Sequence, residues 1–216
     1  MTFVDHQIYN FYKINNGLVL GDSSSNIHNG IKDEYVSTIE HLIIPSHVGI
    51  YKVIMTGYRC LRDLPNVQTA FIPKTITFMD GDTFVNCYKL HTVTFEENSA
   101  LKTMNQYIFY QTNLTTITFP PSVKNISYSS FYNNKYMKSI VIPGFLYTSY
   151  ANVFEGVPEN ILILVPKNYP FDEFGGRNVT KILPEYTGKP QMCTQPKCRR
   201  ISSNIAASII VLLTHM

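Results

Sequence analysis

Residues 67–96 read VQTAFIPKTITFMDGDTFVNCYKLHTVTFE and contain one complete unit of a repeat followed by the start of the next. The unit opens with the pattern L-x-x-I-x-I, carried here by Val67, Ala70 and Ile72. The alternation at the end of this pattern is typical of a strand that buries one face. Pro73 then ends the strand, because proline has no amide donor and a fixed φ. Phe84 follows this proline by 11 residues, and we expect its ring to fill the middle of a coil.

The same unit recurs along the chain at nearly constant spacing. Short apolar runs end at residues 45, 73, 96, 120, 143 and 166, which gives steps of 28, 23, 24, 23 and 23 residues. The later units carry their aromatic residue at Phe109, Phe131 and Phe154. One unit alone buries too few apolar side chains to offset the entropy of ordering about 23 residues. The spacing therefore predicts a solenoid in which each unit packs on its neighbours.

Composition and charge narrow the classes of protein that fit. Charged residues make up only 15% of the chain and the net charge is +3, which excludes a charge-laced coiled coil and argues against nucleic acid as a partner. The excess charge is local, since residues 188–216 hold four basic side chains and no acidic one. Tyrosine and phenylalanine are abundant, at 15 and 13 residues, and tryptophan is absent. These values indicate a β-rich protein with a tyrosine-studded surface.

The repeat unit also carries a family resemblance. The pattern L-x-x-I-x-I-P followed by small-Phe-x-x-Cys-x-x-Leu resembles the BspA-like leucine-rich repeat of surface antigens from anaerobic bacteria and parasitic protozoa. Residues 83–90 match it most closely, and residues 57–61 resemble the first repeat of the protozoan members. Two features depart from the pattern: Glu96 replaces a strand-ending proline, and three of the four cysteine slots hold other residues, namely Thr112, Asn134 and Val157.

The resemblance implies a fold and a role. The fold would be a leucine-rich-repeat solenoid, a right-handed and β-dominated horseshoe with a parallel sheet on its concave face and about six rungs of about 23 residues. The role would be adhesion or recognition at a cell surface, without enzymatic activity.

We expect five segments in the chain. They are an N-terminal capping hairpin and loop (1–35), the repeats (36–166), a C-terminal cap (167–187), a basic linker containing proline and cysteine (188–200) and a short apolar tail (201–216). The first segment lacks the basic start and apolar run of a secretion signal. Its Asn15-Asn16-Gly17 stretch, placed between two β-prone runs, predicts a hairpin with a type I′ turn.

The apolar tail leaves three interpretations open. Its apolar stretch, residues 201–213, is shorter than the roughly 20 residues of a spanning helix. Arg199 and Arg200 precede the stretch and no basic residue follows it. The tail could be a truncated surface anchor, the anchor of a tail-anchored cytosolic protein, or the disordered end of a soluble protein. The first two would associate the protein weakly with a membrane.

The sequence offers no constellation of residues that would support catalysis. Cys60 and Cys87 occupy small slots of the repeat, where we expect a structural role. Cys193 and Cys198 have no second cysteine or histidine pair nearby, so a zinc site would lack half of its ligands. A small disulfide loop, a lipidated pair or an unstructured segment remain possible for them. We expect no catalytic residue, no metal site and no cofactor.

The outward side chains of the repeat strands are the candidate ligand-binding residues. If Val93 and Phe95 point inward, their neighbours must point outward. This rule selects Thr69, Phe71, Thr92, Thr94, Thr116, Thr118, Ser139 and Val141. Threonine is also a good polar strand former, so a purely structural explanation stays open.

The size of this surface limits how tightly it could bind alone. Six strands about 4.8 Å apart and about 13 Å wide present roughly 400 Å², whereas a stable interface takes about 800 Å² from each partner. Useful adhesion would therefore need flanking loops or many copies.

Two functions remain after these exclusions. The first is a surface-associated recognition or adhesion module that binds a host or bacterial surface or matrix protein, or a glycan, through the concave face. The second is a cytoplasmic scaffold that uses the same face for a partner protein. An enzyme would require a closely spaced acid–base pair in a cleft, for which the sequence gives no positive sign.

Overall fold

The computed structural model describes residues 2–22, 30–146, 148 and 150–188. Within them the chain winds into a solenoid of mostly parallel strands, because each unit places its apolar positions against those of the unit before. Most of the expected linker, all of the apolar tail, and Cys193 and Cys198 lie outside the described residues.

An antiparallel N-terminal sheet precedes the repeats. Its strands are β1 (Thr2–Val4), β2 (Phe11–Ile14) and β3 (Gly17–Leu20). The hairpin between β2 and β3 forms where the sequence predicts it, but the predicted type I′ turn is wrong. The loop residues Asn15 and Asn16 keep negative φ, and the positive φ of 156° falls on Gly17. A Cβ on Gly17 would lie 2.6 Å from the carbonyl oxygen of Lys52, so the close approach of the next strand requires glycine here.

The N-terminal sheet is joined to the repeats at two points. β3 pairs in parallel with β6 (Tyr51–Thr56), which also pairs antiparallel with β5 (His47–Val48). A short helix, α1 (Asp33–Val36), leads to the first concave strand, β4 (His41–Ile43). The hydroxyl of Tyr9 accepts a hydrogen bond of 3.1 Å from the backbone nitrogen of Ile43. This contact satisfies a donor at the outer edge of β4, where no further strand follows.

The strands expected from the repeat pattern line the concave face and run in parallel. After β4 they are β7 (Thr69–Ile72), β9 (Thr92–Phe95), β11 (Thr116–Thr118), β13 (Ser139–Val141) and β14 (Leu162–Pro166). Their side chains alternate as predicted: Ile117 is buried, whereas Thr116 and Thr118 on either side of it are exposed. The period of two thus sets which residues reach solvent.

The concave strands form two sheets instead of the single expected one. β4, β7 and β9 make the first, and β11, β13 and β14 make the second together with β17 (Thr180–Leu183). The break falls where the unit length changes, since 25 residues separate Phe84 from Phe109 but only 22 separate Phe109 from Phe131. The turn before β11 is also one residue shorter than the turns before β9 and β13. The two strands that flank this change in loop length, β9 and β11, are not paired with each other.

A further parallel ladder lies on the return path of the coil. Its strands have two residues each: β8 (Phe78–Met79), β10 (Thr103–Met104) and β12 (Asn125–Ile126). β8 pairs with β6, so this ladder continues the N-terminal sheet. Met79 and Met104 are fully buried between the two layers, and the core therefore runs the length of the solenoid.

A column of phenylalanine rings fills the middle of the coil, as predicted. The ring centroids of Phe84, Phe109, Phe131 and Phe154 follow one another at 5.8, 5.6 and 5.8 Å. All four side chains are buried. Phe154 belongs to a 3-10 turn, Ala151–Phe154. Each rung therefore needs its neighbours in order to bury its largest side chain.

Residues in the left-handed conformation frame these rings. Asp82 and Asn86, two positions before and after Phe84, have φ of 60° and 59°. The same spacing of four recurs in the neighbouring turns, at Arg59 and Asp63, Tyr107 and Gln111, and Ser129 and Asn133. Asparagine and aspartate tolerate this conformation better than most residues. They occupy only half of these eight positions, so residue type alone would not have identified all the bends.

The C-terminal residues close the other end of the column. β15 (Glu173–Phe174) and β16 (Arg177–Asn178) form a hairpin, and Phe174 packs 5.8 Å from Phe154. The guanidinium of Arg177 donates hydrogen bonds to the carbonyl oxygens of Phe154 (3.1 Å), Val157 (2.9 Å) and Pro158. One side chain therefore satisfies three carbonyls of the last turn.

Candidate recognition surface

The candidate residues of the concave face are positioned by the strand alternation, but they are not equally exposed. Thr92, Thr94, Thr116 and Thr118, near the centre of the face, are exposed. The others, Thr69, Phe71, Ser139 and Val141, are half-buried. The four exposed threonines lie on either side of the break between β9 and β11.

Hydrogen bonds within the chain already engage part of the hydroxyl row. Thr116 Oγ1 lies 2.8 Å from Ser139 Oγ, and Thr69 Oγ1 lies 3.0 Å from Nδ1 of His41. Thr92 Oγ1 lies 2.9 Å from Nδ1 of His91. Among the described residues, the hydroxyls of Thr94 and Thr118 have no such partner, and they are the hydroxyls on this face that are free for a ligand.

Apolar side chains are exposed at both ends of the concave face. Ile43 on β4 is 66% exposed and pairs in register with Phe71 on β7. At the other end, Leu162 on β14 is 55% exposed and lies beside Ser139. The face therefore has a central hydroxyl row between two small apolar patches.

An open groove of about 710 Å³ runs along the N-terminal ends of β11, β13 and β14, beside the concave face. The residues that line it include Asn113, Lys135, Tyr136, Lys138 and Asn160. Reasoning from the sequence missed these residues because it considered only the strand faces. The signal available was their position in the turns just before each strand, where a solenoid stacks successive loops.

Tyrosines gather on the flank formed by the phenylalanine turns. Tyr110 and Tyr132 stack with ring centroids 4.8 Å apart, and Tyr107 contacts Tyr110 at 5.6 Å and Tyr128 at 5.2 Å. The composition indicated a tyrosine-rich surface, and the repeat places these side chains one above another.

The charged side chains of the same turns form a structural network. The Asp82 carboxylate lies 3.2 Å from Nε of Arg59 and 3.4 Å from Nη1 of Arg62. Arg62 also contacts Asp63 at 2.9 Å. In the part of the chain that the structure describes, no group of three histidine, cysteine, aspartate or glutamate side chains is placed to hold a metal ion.

The two described cysteines lie in the core, as the repeat pattern predicts. Both are free and buried, and Cys87 Sγ donates to the carbonyl oxygen of Leu61 at 3.2 Å. Burial raises the pKa of the Cys60 and Cys87 thiols to about 12. They are therefore neutral at physiological pH and are not poised as nucleophiles.

Comparison with known proteins matches the repeat to an established class. A family model described as the BspA type leucine rich repeat region matches residues 55–169 in six copies. No curated protein matches the sequence significantly. None of the helices among the described residues is long and apolar enough to cross a membrane.

Several solved structures share the fold. The pneumococcal vaccine antigen PcpA superposes with a TM-score of 0.60 at 15% identity, over 83% of this chain and 48% of that one. A leucine-rich repeat protein of T. pallidum gives 0.57 at 14% identity, over 94% and 92%. A leucine-rich repeat protein from Bacteroides capillosus gives 0.53 at 21% identity, over 67% and 100%. At these identities the likeness is one of fold, and this chain spans about half the length of the pneumococcal antigen.

Proposed function

This chain belongs to the BspA-type leucine-rich repeat family, and we propose that it is a non-enzymatic recognition or adhesion module associated with a cell surface. The family and the fold make it a repeat-protein interaction module. The ligand would be a host or bacterial surface or matrix protein, or a glycan, held through the concave face and the loops beside it.

The observation that carries this proposal is the pair of free hydroxyls at the centre of the concave face. Thr94 and Thr118 are exposed, and among the described residues neither hydroxyl is hydrogen-bonded within the chain. Each threonine lies on a strand that is paired on one side, Thr94 in register with Phe71 and Thr118 with Val141, so a ligand would meet donors and acceptors whose backbone is already ordered.

A lack of enzymatic activity is part of the same proposal. Its support is that the two core thiols are neutral and inaccessible. In addition, His41 and His91 lie beside threonine hydroxyls, but among the described residues neither imidazole is hydrogen-bonded to a carboxylate that would orient it as a base.

Two arginines placed on the concave face test its role. The variant T94R/T118R puts bulk and charge on the exposed face and leaves the buried residues untouched. T77R/T187R is the matched control, because it adds the same charges at exposed positions away from this face. Both would be applied to an array of immobilised matrix proteins and glycans. We expect T94R/T118R to lose binding and the control to keep it; equal binding by both would reject the concave face.

Protease treatment of intact cells that express the full chain tests the location. Loss of the signal of an antibody against the repeats would place the solenoid outside the cell, as proposed. A signal that disappears only after permeabilisation would favour the intracellular scaffold instead.

A further inference from the structure

The groove beside the concave face has a chemistry that the concave face lacks. Lys135 and Lys138 lie on one turn before β13, and the exposed Tyr136 lies between them in sequence. Asn113 lies at the turn before β11, and Asn160 at the turn before β14. Two cations, one aromatic ring and two amides thus share one open depression.

The two lysines carry charge that the chain does not neutralise. Among the described residues, neither ammonium group takes part in an ion pair or a hydrogen bond, and both side chains are exposed. Lys89 lies in the equivalent turn two units earlier, before β9. Its ammonium group donates a hydrogen bond of 2.6 Å to Oδ1 of Asn66. Two acids of the next turn, Glu155 and Glu159, are exposed, and neither is among the lining residues. The groove is therefore electropositive and open to an anion.

Tyr136 and the two asparagines add contacts that are not electrostatic. The side chain of Tyr136 is 65% exposed, so it offers an apolar body with a polar tip. Neither Asn113 nor Asn160 uses its side-chain amide in a hydrogen bond within the described residues. Each amide supplies both donors and an acceptor, as is needed to bind neighbouring hydroxyl groups.

The wall of the groove is held rigid from behind. The carbonyl oxygen of Pro158, which lines the groove, accepts a hydrogen bond from the guanidinium of Arg177. The same guanidinium also binds the carbonyl oxygen of Val157. The loop that carries Asn160 therefore starts from a fixed point, which lowers the entropy cost of binding.

The backbone at this edge favours side-chain recognition over peptide pairing. The backbone nitrogen of Asn113 donates to the carbonyl oxygen of Leu90 at 3.0 Å. In the next two turns, Lys138 donates to Thr115 at 2.7 Å, and Leu162 donates to Lys138 at 2.9 Å. An extended peptide that adds a strand needs free backbone donors and acceptors, and these are already in use. A ligand that presents hydroxyls and anionic groups to side chains fits better.

We propose that this groove binds an acidic oligosaccharide, with Lys135 and Lys138 holding its anionic groups, Tyr136 stacking on a sugar ring and the two asparagines binding hydroxyls. The inference rests on the proposed function as a recognition module and names the class of its ligand. The anionic group is a carboxylate or a sulfate, since an ammonium point charge binds either.

Direct titration of the full chain with three tetrasaccharides tests the proposal. The probes are a heparin tetrasaccharide, which carries sulfates and carboxylates, a hyaluronan tetrasaccharide, which carries carboxylates only, and the uncharged chitotetraose. We expect at least one acidic probe to bind, with an affinity that falls as salt is raised. Binding of both would identify any acidic sugar as ligand, and binding of heparin alone would identify the sulfate.

Variants distinguish binding in this groove from a general attraction of acidic sugars to the positive charge of the protein. K135Q/K138Q should weaken binding of the acidic probe at least tenfold, and Y136S should weaken it severalfold at constant charge. K52Q/K102Q removes two exposed lysines elsewhere and should change the affinity by less than twofold. Three results would each overturn the proposal. They are an equal loss of affinity in the two lysine double variants, tighter binding of chitotetraose than of the acidic tetrasaccharides, and an affinity for an octaglutamate peptide equal to that for the acidic tetrasaccharides.

These readouts are independent of the test of the concave face. If T94R/T118R keeps its binding on the array while K135Q/K138Q loses the tetrasaccharide, the concave face fails and the groove stands. If the array result holds but neither acidic probe binds, the groove fails and the recognition module stands.

Discussion

The hydroxyl of Thr112 lies 2.6 Å from Oδ1 of Asn134 and donates a hydrogen bond to it inside the coil, where both side chains are buried. Nδ2 of Asn134 donates to the carbonyl oxygens of Phe109 (2.6 Å) and Phe131 (3.0 Å). Both residues occupy slots in which the family pattern has cysteine. The thiol of Cys87 makes the simpler contact in its own slot, with one carbonyl of the preceding unit. These two departures from the pattern are therefore polar replacements that hydrogen-bond to each other and to the core backbone.

Replacing Asn134 with leucine should destabilise the solenoid strongly. The leucine would deprive the buried Thr112 hydroxyl of its acceptor on residue 134 and would leave the carbonyl oxygen of Phe109 with only the longer bond from that hydroxyl, at 3.3 Å. We expect a loss of about 3 kcal/mol in the free energy of unfolding. Urea unfolding followed by circular dichroism would measure it. N125L, at an exposed position, should change the stability by less than about 0.5 kcal/mol. Similar losses in the two variants would show that the buried network contributes little.

Phe109, an inner ring of the column, should be sensitive to truncation. It stacks on Phe84 on one side and on Phe131 on the other, so its removal opens a cavity in two interfaces. We expect F109A to lower the free energy of unfolding by about 3–5 kcal/mol and F109L to lower it by about 1.5 kcal/mol. A cost for F109A no greater than that of F109L would contradict the stacked column.

The strand faces could be predicted because they depend on local pattern alone. The period of two along β11 buries Ile117 and exposes Thr116 and Thr118 whatever happens elsewhere. The return-path strands were missed for the opposite reason. A strand of two residues, such as Thr103–Met104, is too short to show any period, and it forms only because its neighbours supply partners.

The groove and the break in the sheet could not be predicted, because both depend on how loops of unequal length stack. Lys135 and Asn160 are 25 residues apart, and they line one groove only because the turns before β13 and β14 lie side by side. The free hydroxyls of Thr94 and Thr118 also required the structure. The pattern treats all outward threonines alike, whereas the contacts show that Thr69 and Thr116 are already engaged.

Arg177 should contribute more to stability than any surface ion pair. Its guanidinium binds carbonyl oxygens of the last turn, including those of Phe154 and Val157. Each hydrogen bond made by a charged group contributes about 1.5–3 kcal/mol, and we expect R177A to cost about 3 kcal/mol. R177K should recover only part of this, because one ammonium group cannot reproduce the planar donor set.

The control for Arg177 is an exposed ion pair in the same segment. Lys181 lies 2.7 Å from the Asp172 carboxylate, whose side chain is 88% exposed. K181A should cost less than about 0.5 kcal/mol, since exposed pairs contribute little. Thermal and urea unfolding of the three variants would rank them. Equal losses in the free energy of unfolding for R177A and K181A would show that Arg177 does not stabilise the C-terminal end of the solenoid.

The thiols of Cys60 and Cys87 should be inert until the protein unfolds. Burial raises the pKa of both thiols to about 12, so they stay protonated at pH 8, and the surrounding core excludes reagents. The measurement is iodoacetamide labelling followed by mass spectrometry in a C193S/C198S background, which removes the two other cysteines. We expect no label on the native protein at pH 8 and two labels in guanidinium chloride. Rapid labelling of either thiol in the native state would mean that the first turns of the solenoid open far more often than their packing implies.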